Sequence, residues 1–213
     1  MTMRTLLVAG AAAAVVLTGA AVQTFSQTGS PTSPAPAPAT ELRPISGFKD
    51  IADTQSRSIA LFTEAGKVLQ HPRCVNCHPV GERPFQGDQM RPHEPLVVRG
   101  KDGHGAPGLA CSTCHGGANF DPARVPGDPQ WHLAPATMAW EGKSLGYICN
   151  QLKDPRRNGN KDVAAILKHV SEDSLVKWGW NPGPGRTPAP GTNEEFAALL
   201  KAWADTGAHC PVP

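Results

Sequence analysis

Two short runs hold the residue types best suited to chemistry. Residues 74–78 read Cys-Val-Asn-Cys-His, and residues 111–115 read Cys-Ser-Thr-Cys-His. In a Cys-x-x-Cys-His run the two thiols stand about one helical turn apart and reach the two vinyl groups on one edge of a porphyrin. The adjoining imidazole then ligates the iron from below, which is the attachment pattern of a c-type haem. Two copies predict two covalent haems, held through Cys74 and Cys77 with His78, and through Cys111 and Cys114 with His115. Two other chemistries use paired cysteines. A four-thiolate zinc site does not need a His after each pair, and its pairs usually stand about 15–20 residues apart. Two redox dithiols need no such His either.

Each iron needs a sixth ligand if it is to pass electrons without binding substrate. His93 is the first choice, because the loop between the motifs must run around the haems. His169 borders an apolar stripe and comes second. Met138 is the rival, since Pro135, Met138 and Trp140 place a thioether among apolar neighbours. His71 stands too close to its own motif to loop over that ring, although it could reach the other haem. His104, His132 and His209 have no special context.

Six cysteines less the four in the motifs leave Cys149 and Cys210. In an oxidising compartment two leftover thiols pair, which predicts a disulfide pinning the C-terminal helix to the body.

The elements that position these groups are helical. The chain has 22 Gly, 22 Pro, 6 Phe and 1 Tyr in 213 residues, so it is rich in loops and poor in ordinary core material. Porphyrin surface would supply what the core lacks. The fold class is mainly α with long irregular loops, about four helices packed around two haems. The first helix spans 54–70, with Ile59, Phe62, Ala65 and Leu69 on one face. The second spans 143–153, begun by Ser144, and the third 162–177, striped by Val163, Ile166, Leu167 and Val170. The fourth spans 193–206, with a Thr192/Glu195 capping box and a buried face of Phe196, Leu199, Leu200 and Trp203. No alternating strand run of useful length is visible.

Residues 1–21 read as an export signal: Arg4, an apolar run, then Gly19-Ala20-Ala21 as a small-residue cleavage site. The alternative is a retained anchor at the short end of what spans a bilayer. Residues 22–44, dominated by Pro, Ala, Ser and Thr, read as a disordered linker. Residues 45–213 form one domain. Export and haem attachment agree on a periplasmic location, membrane-anchored only if the N-terminal segment stays.

From His71 to Pro211 the chain resembles the bacterial dihaem cytochrome c proteins labelled isoquinoline 1-oxidoreductase subunit. The likeness rests on residues 71–79 (His-Pro-Arg-Cys-Val-Asn-Cys-His-Pro), Gln86-Gly87-Asp88, His93 and the second motif. It continues through Leu133-Ala134-Pro135, Met138-Ala139-Trp140, Gly142-Lys143-Ser144, Lys153-Asp154-Pro155 and Arg157-Asn158-Gly159, then Trp178-Gly179-Trp180 and residues 189–192. It implies an electron acceptor for a molybdenum-type dehydrogenase, with a downstream cytochrome or oxidase. The order of motif, His and motif is also similar to the dihaem subunit of periplasmic nitrate reductase, which favours His93 as a ligand.

The reading is an electron carrier with two six-coordinate haems. No nucleophile–base pair stands out in the chain. The alternative is a dihaem enzyme with one open haem that reduces a small oxidant such as peroxide; a haem sensor would need an output domain that is not visible. The net charge is +2 with no basic stripe, so nucleic acid is not a partner. Local charge at Arg73, Arg83 and Arg91 could meet a redox partner.

Overall fold

The computed structural model describes residues 41–213, and the expected signal or anchor (1–21) and residues 22–40 of the expected linker lie outside them. The described body is helix-rich, with six helices, two tiny sheets and long loops. Among the described residues no helix is long and apolar enough to cross a membrane. Leu42 lies within the stretch read as linker, yet it is buried in the core. The folded body therefore takes in that end of the stretch.

Helix α1 is Thr54–Leu69. Asp53 starts it, its carboxylate accepting the Ser56 N–H at 2.7 Å. The buried face centres on Leu61, Phe62, Ala65, Val68 and Leu69. Ile59, expected in the stripe, is only half-buried, so the face is turned toward Leu61 and Val68. A four-residue helix, α2 (Pro72–Val75), follows at once and was not foreseen. Pro72 at its first position costs no hydrogen bond there, and the His71 ring nitrogen Nδ1 caps it by accepting the Arg73 N–H at 3.2 Å.

Helix α3 is Leu145–Leu152, capped by Ser144. Helices α4 (Val163–Glu172) and α5 (Ser174–Trp178) replace the single expected third helix. Asp173 is extended (φ −65°, ψ 127°), and its side chain accepts from Leu175 and Val176 N–H. A short carboxylate thus ends one helix by starting the next. Helix α6 (Asn193–Asp205) carries both halves of the Thr192/Glu195 capping box and buries Phe196, Leu199, Leu200 and Trp203.

The core is α1 laid on α6, with α3 and α4 closing it. Phe62 meets Trp203 at a ring-centroid distance of 5.0 Å. Trp203 also donates its indole N–H to the His209 carbonyl, and buried Ser58 bonds both the Trp203 carbonyl and the His209 N–H. Cys149 and Cys210 are joined as a disulfide, with 5.6 Å between Cα atoms, tying the chain end to α3. At Gly146 a Cβ would stand 2.4 Å from the Pro211 carbonyl oxygen, so only glycine lets the C-terminal segment cross α3 there.

Between α2 and α3 the chain is loop. Two antiparallel ribbons punctuate it: β1 (Phe85–Gln86) with β2 (Arg91–Pro92), and β3 (Gly105–Ala106) with β4 (Leu109–Ala110). At two residues per strand they are turn closures more than sheets.

Candidate functional site

The first motif begins in α2, where residues 74–78 continue through backbone bonds from Cys77 N–H to Cys74 O and from His78 N–H to Val75 O. The segment 133–141 lies behind it. Ala134 N–H donates to the Cys77 carbonyl (3.1 Å) and Trp140 N–H to the His78 carbonyl (2.8 Å). This registration puts the Met138 carbonyl on His78 Nδ1 at 2.6 Å and lays the Trp140 ring flat on the imidazole, with centroids 3.5 Å apart and planes 10° apart. A carbonyl only accepts, so Nδ1 carries the proton and Nε2 is left with a free lone pair. Burial pushes His78 down to about 4, against the opposing pull of its hydrogen bond to the Met138 carbonyl.

The second motif repeats the device with different parts. His115 Nδ1 donates to the Pro126 carbonyl at 2.7 Å, and its ring stacks on Trp131 at 4.6 Å and 14°. The bridge between Phe120 and Val125 brings the chain back to present that carbonyl. At Gly127, the next residue, a Cβ would stand 2.2 Å from the Ala118 carbonyl oxygen. Asn119 accepts both the Gly127 N–H (3.1 Å) and the Trp178 indole N–H (2.8 Å), and Trp178 meets Trp131 edge-on at 4.9 Å. Burial lowers His115 as well.

Two cavities open on these imidazoles. One, of 620 Å³, is lined by Cys77, Cys111, Cys114, His115, His93 and Trp131 among others. The second, of 720 Å³, is lined by Cys74, Cys77, His78, Trp140, His132 and His169 among others. Both volumes suit a cofactor-sized ligand. The cavities share the walls at Arg73, Cys77, His132, Leu133 and Trp178, so they adjoin.

The expected sixth ligands fall as follows. His93 faces His115 across the first cavity, ring centroids 6.0 Å apart at 65°. Its Nδ1 donates to the Pro95 carbonyl (3.0 Å), and Arg83 Nε holds the His93 carbonyl (3.0 Å). His169 lines the second cavity, with Nδ1 on Asp173 Oδ2 at 3.3 Å. That hydrogen bond holds the Asp173 carboxyl down at about 2. Met138 presents its carbonyl to the Nδ1 side of His78, and its side chain joins the hydrophobic core. His71 is buried and occupied as the cap of α2. His104 and His132 sit together at 5.0 Å on the rim of the second cavity, and His132 Nδ1 donates to the Gln130 carbonyl.

The residues present fit a porphyrin in each cavity. Two imidazoles sharing one metal through Nε2, at bonds of about 2 Å, hold their ring centres about 6 Å apart, the spacing of His93 and His115. Burial raises the Cys74 thiol to about 12 and Cys77 to about 11, which suits neutral sulfur, as in a thioether, better than thiolate. Among the described residues no three His, Cys, Asp or Glu side chains converge on one metal position. A haem iron asks only two axial donors of the protein. Among the described residues Arg73 Nε, Arg99 Nε and Trp140 Nε1 are buried nitrogens with no hydrogen-bond partner, although Arg99 Nε stands 3.9 Å from a Glu82 oxygen, and all three residues line the second cavity. Spare N–H groups on the wall of such a cleft suit the carboxylates of a haem.

Some of the site was absent from the sequence reading. Nothing in the spacing marks Trp140 and Trp131 as platforms for His78 and His115. The carbonyls of Pro126 and Met138 leave no residue-type signal at all. Arg73, expected as surface charge for a partner, is buried and paired with Asp88, whose carboxylate also takes the Thr187 hydroxyl at 2.8 Å. A guanidinium reaching in from α2 beside both cavities is spent inside the molecule. Searched against protein-family models, curated proteins and solved structures, the chain matches none.

Proposed function

We propose that this protein is a dihaem c-type cytochrome that carries single electrons. Haem at each Cys-x-x-Cys-His run would supply reversible one-electron iron chemistry. The observation that carries the reading is the His93/His115 pair. Two imidazoles 22 residues apart in sequence stand at the spacing of a shared metal, and each has its Nδ1 engaged by a backbone carbonyl, which presents Nε2 for ligation.

Around that pair the chain's own residues bind, orient and seal. Cys111 and Cys114 would anchor one haem, and Cys74 and Cys77 the other. Trp131 and Trp140 set the ring planes of His115 and His78. The buried Arg99 guanidinium on the wall of the second cavity would face a haem carboxylate. In the second cavity His169 would be the sixth ligand, since it lies on the wall with Nδ1 beside Asp173. Met138 supports His78 through its carbonyl, and because it also lines the second cavity its thioether is the alternative to His169 as ligand. Histidines on both faces of each haem would leave substrate no coordination position, which suits a carrier better than an oxidant-reducing enzyme.

The donor would be a dehydrogenase, of the molybdenum type in line with the resemblance, and the acceptor a downstream cytochrome or oxidase. Export through residues 1–21 would place the exchange in the periplasm. The test is the reduced optical spectrum with and without carbon monoxide. Two low-spin haems that leave carbon monoxide unbound support the carrier; rapid binding at one haem would establish the open-site enzyme instead.

A further inference from the structure

The two proximal imidazoles are held alike, but the two distal ones are not. His78 and His115 each give Nδ1–H to a backbone carbonyl, at 2.6 and 2.7 Å, and so does His93, at 3.0 Å. His169 alone faces a carboxylate, Asp173 Oδ2 at 3.3 Å. The difference comes from the helix break. Asp173 sits one turn after His169, where α4 stops, and its two oxygens divide the work: Oδ1 caps α5 through Leu175 and Val176, while Oδ2 faces the imidazole. Both residues line the second cavity, and the Asp173 side chain is only 17% exposed, so its charge is poorly screened there.

We propose that Asp173 sets the reduction potential of the haem held at the first motif, holding it below the value that the same two imidazoles would give with carbonyl acceptors. The inference rests on the reading of His169 as that haem's sixth ligand. The physical reason is simple. A carboxylate on Nδ1–H draws the proton, makes Nε2 a stronger donor, and stabilises the more positive ferric state over the ferrous one. Other charges on that wall, Arg99 and Lys161 among them, are not bonded to a candidate axial ring. Asp173 acts through His169 and is a positioning residue with an electronic consequence. The second-motif haem, with carbonyls behind both imidazoles, lacks this influence. The molecule therefore contains two haems of similar ligation and deliberately different environment.

The test is an optical redox titration of the full-length, haem-loaded protein and of Asp173→Asn. Asparagine keeps the Oδ1 cap of α5, so the fold is retained. A charged hydrogen bond is about twice as strong as a neutral one, so replacing it is expected to raise the reduced-to-oxidised ratio of one haem about tenfold, or about 59 mV for one electron. The other one-electron step stays where it was, and both haems stay low spin. His169→Ala identifies the haem: the step that moves in Asp173→Asn must belong to the haem that turns high spin in His169→Ala. If His169→Ala turns one haem high spin while Asp173→Asn moves neither step, His169 stands as ligand and the proposal fails. An Asp173→Asn protein that turns high spin shows that the carboxylate only orients His169, which also overturns it. If His169→Ala leaves both haems low spin, the ligand reading itself is wrong and the proposal goes with it.

Discussion

Opening the Cys149–Cys210 bridge should loosen the C-terminal third of the molecule by an amount that follows from chain length. The crosslinked residues are 61 apart in sequence. Loop-closure entropy gives about 3 kcal/mol for a 15-residue loop and about 4.7 for a 100-residue one, so this loop stands near 4 kcal/mol. Cys149 is fully buried, and Trp203, Ser58 and His209 already tie the same region by hydrogen bonds. Those ties lower the benefit only where they persist in the unfolded chain, and bonds from Ser58 to residues 145 and 151 positions away do not. The loss is therefore expected at about 3–4 kcal/mol, or roughly 10 °C in Tm for a domain of this size. Urea titration followed by tryptophan fluorescence measures it, comparing oxidised protein, reduced protein and the Cys149→Ala/Cys210→Ala double variant. Reduction keeps both side chains in place and isolates the crosslink, and the double variant adds the effect of lost packing. An oxidised-minus-reduced difference under about 1 kcal/mol would refute the reasoning, because the loop would then be closed by the other contacts without the bond.

Three further outcomes are expected. His93→Ala should turn the second-motif haem high spin and open it to carbon monoxide, with the first-motif haem unchanged; an unaltered spectrum excludes His93 as ligand. Gly127→Ala forces a Cβ against the Ala118 and Gly116 carbonyls, backbone atoms that cannot step aside, and should cost about 1–3 kcal/mol while disturbing the Pro126 carbonyl on His115. Wild-type thermal stability with an altered second-haem signal would place the effect at the ligand, and neither change would show that the close approach is relaxed at no cost. His71 is held below its ordinary value of 6.5 mainly by burial, and as the cap of α2 it must accept through Nδ1, which a protonated ring cannot do. The unfolded chain takes up that proton first, so stability is full above about 6.5 and falls as pH drops below it. His71→Asn keeps an acceptor at the cap and should flatten the slope between pH 7 and 5 in pH-dependent urea titrations; equal slopes would remove His71 from the account.

What the sequence made legible was everything carried by residue type at short range. The two motifs, the two spare cysteines, the Thr192/Glu195 box and the buried face of α6 could each be read from spacing alone. The break at Asp173 could not, since the apolar stripe continues across it and only the side chain's choice of Leu175 and Val176 as partners stops the helix. The same holds for α2, where a histidine does the capping usually given to Ser or Asp. His93 could be singled out because its loop lies between the motifs. The supports behind the imidazoles could not, since a carbonyl belongs to every residue and only the fold decides that those of Met138 and Pro126 do the holding. Arg73 misled for a related reason: its charge was visible, but its burial against Asp88 is a tertiary fact.

The central claim is that two haems are bound covalently, one at each Cys-x-x-Cys-His run. Intact-mass measurement after full denaturation, on protein exported together with the cytochrome c maturation machinery, addresses it directly. The expected result is the mature chain plus two haems, shifting to one haem in Cys111→Ala/Cys114→Ala and in Cys74→Ala/Cys77→Ala alike. The bare polypeptide mass, whether with haem lost on denaturation or with zinc in the native protein, would contradict it.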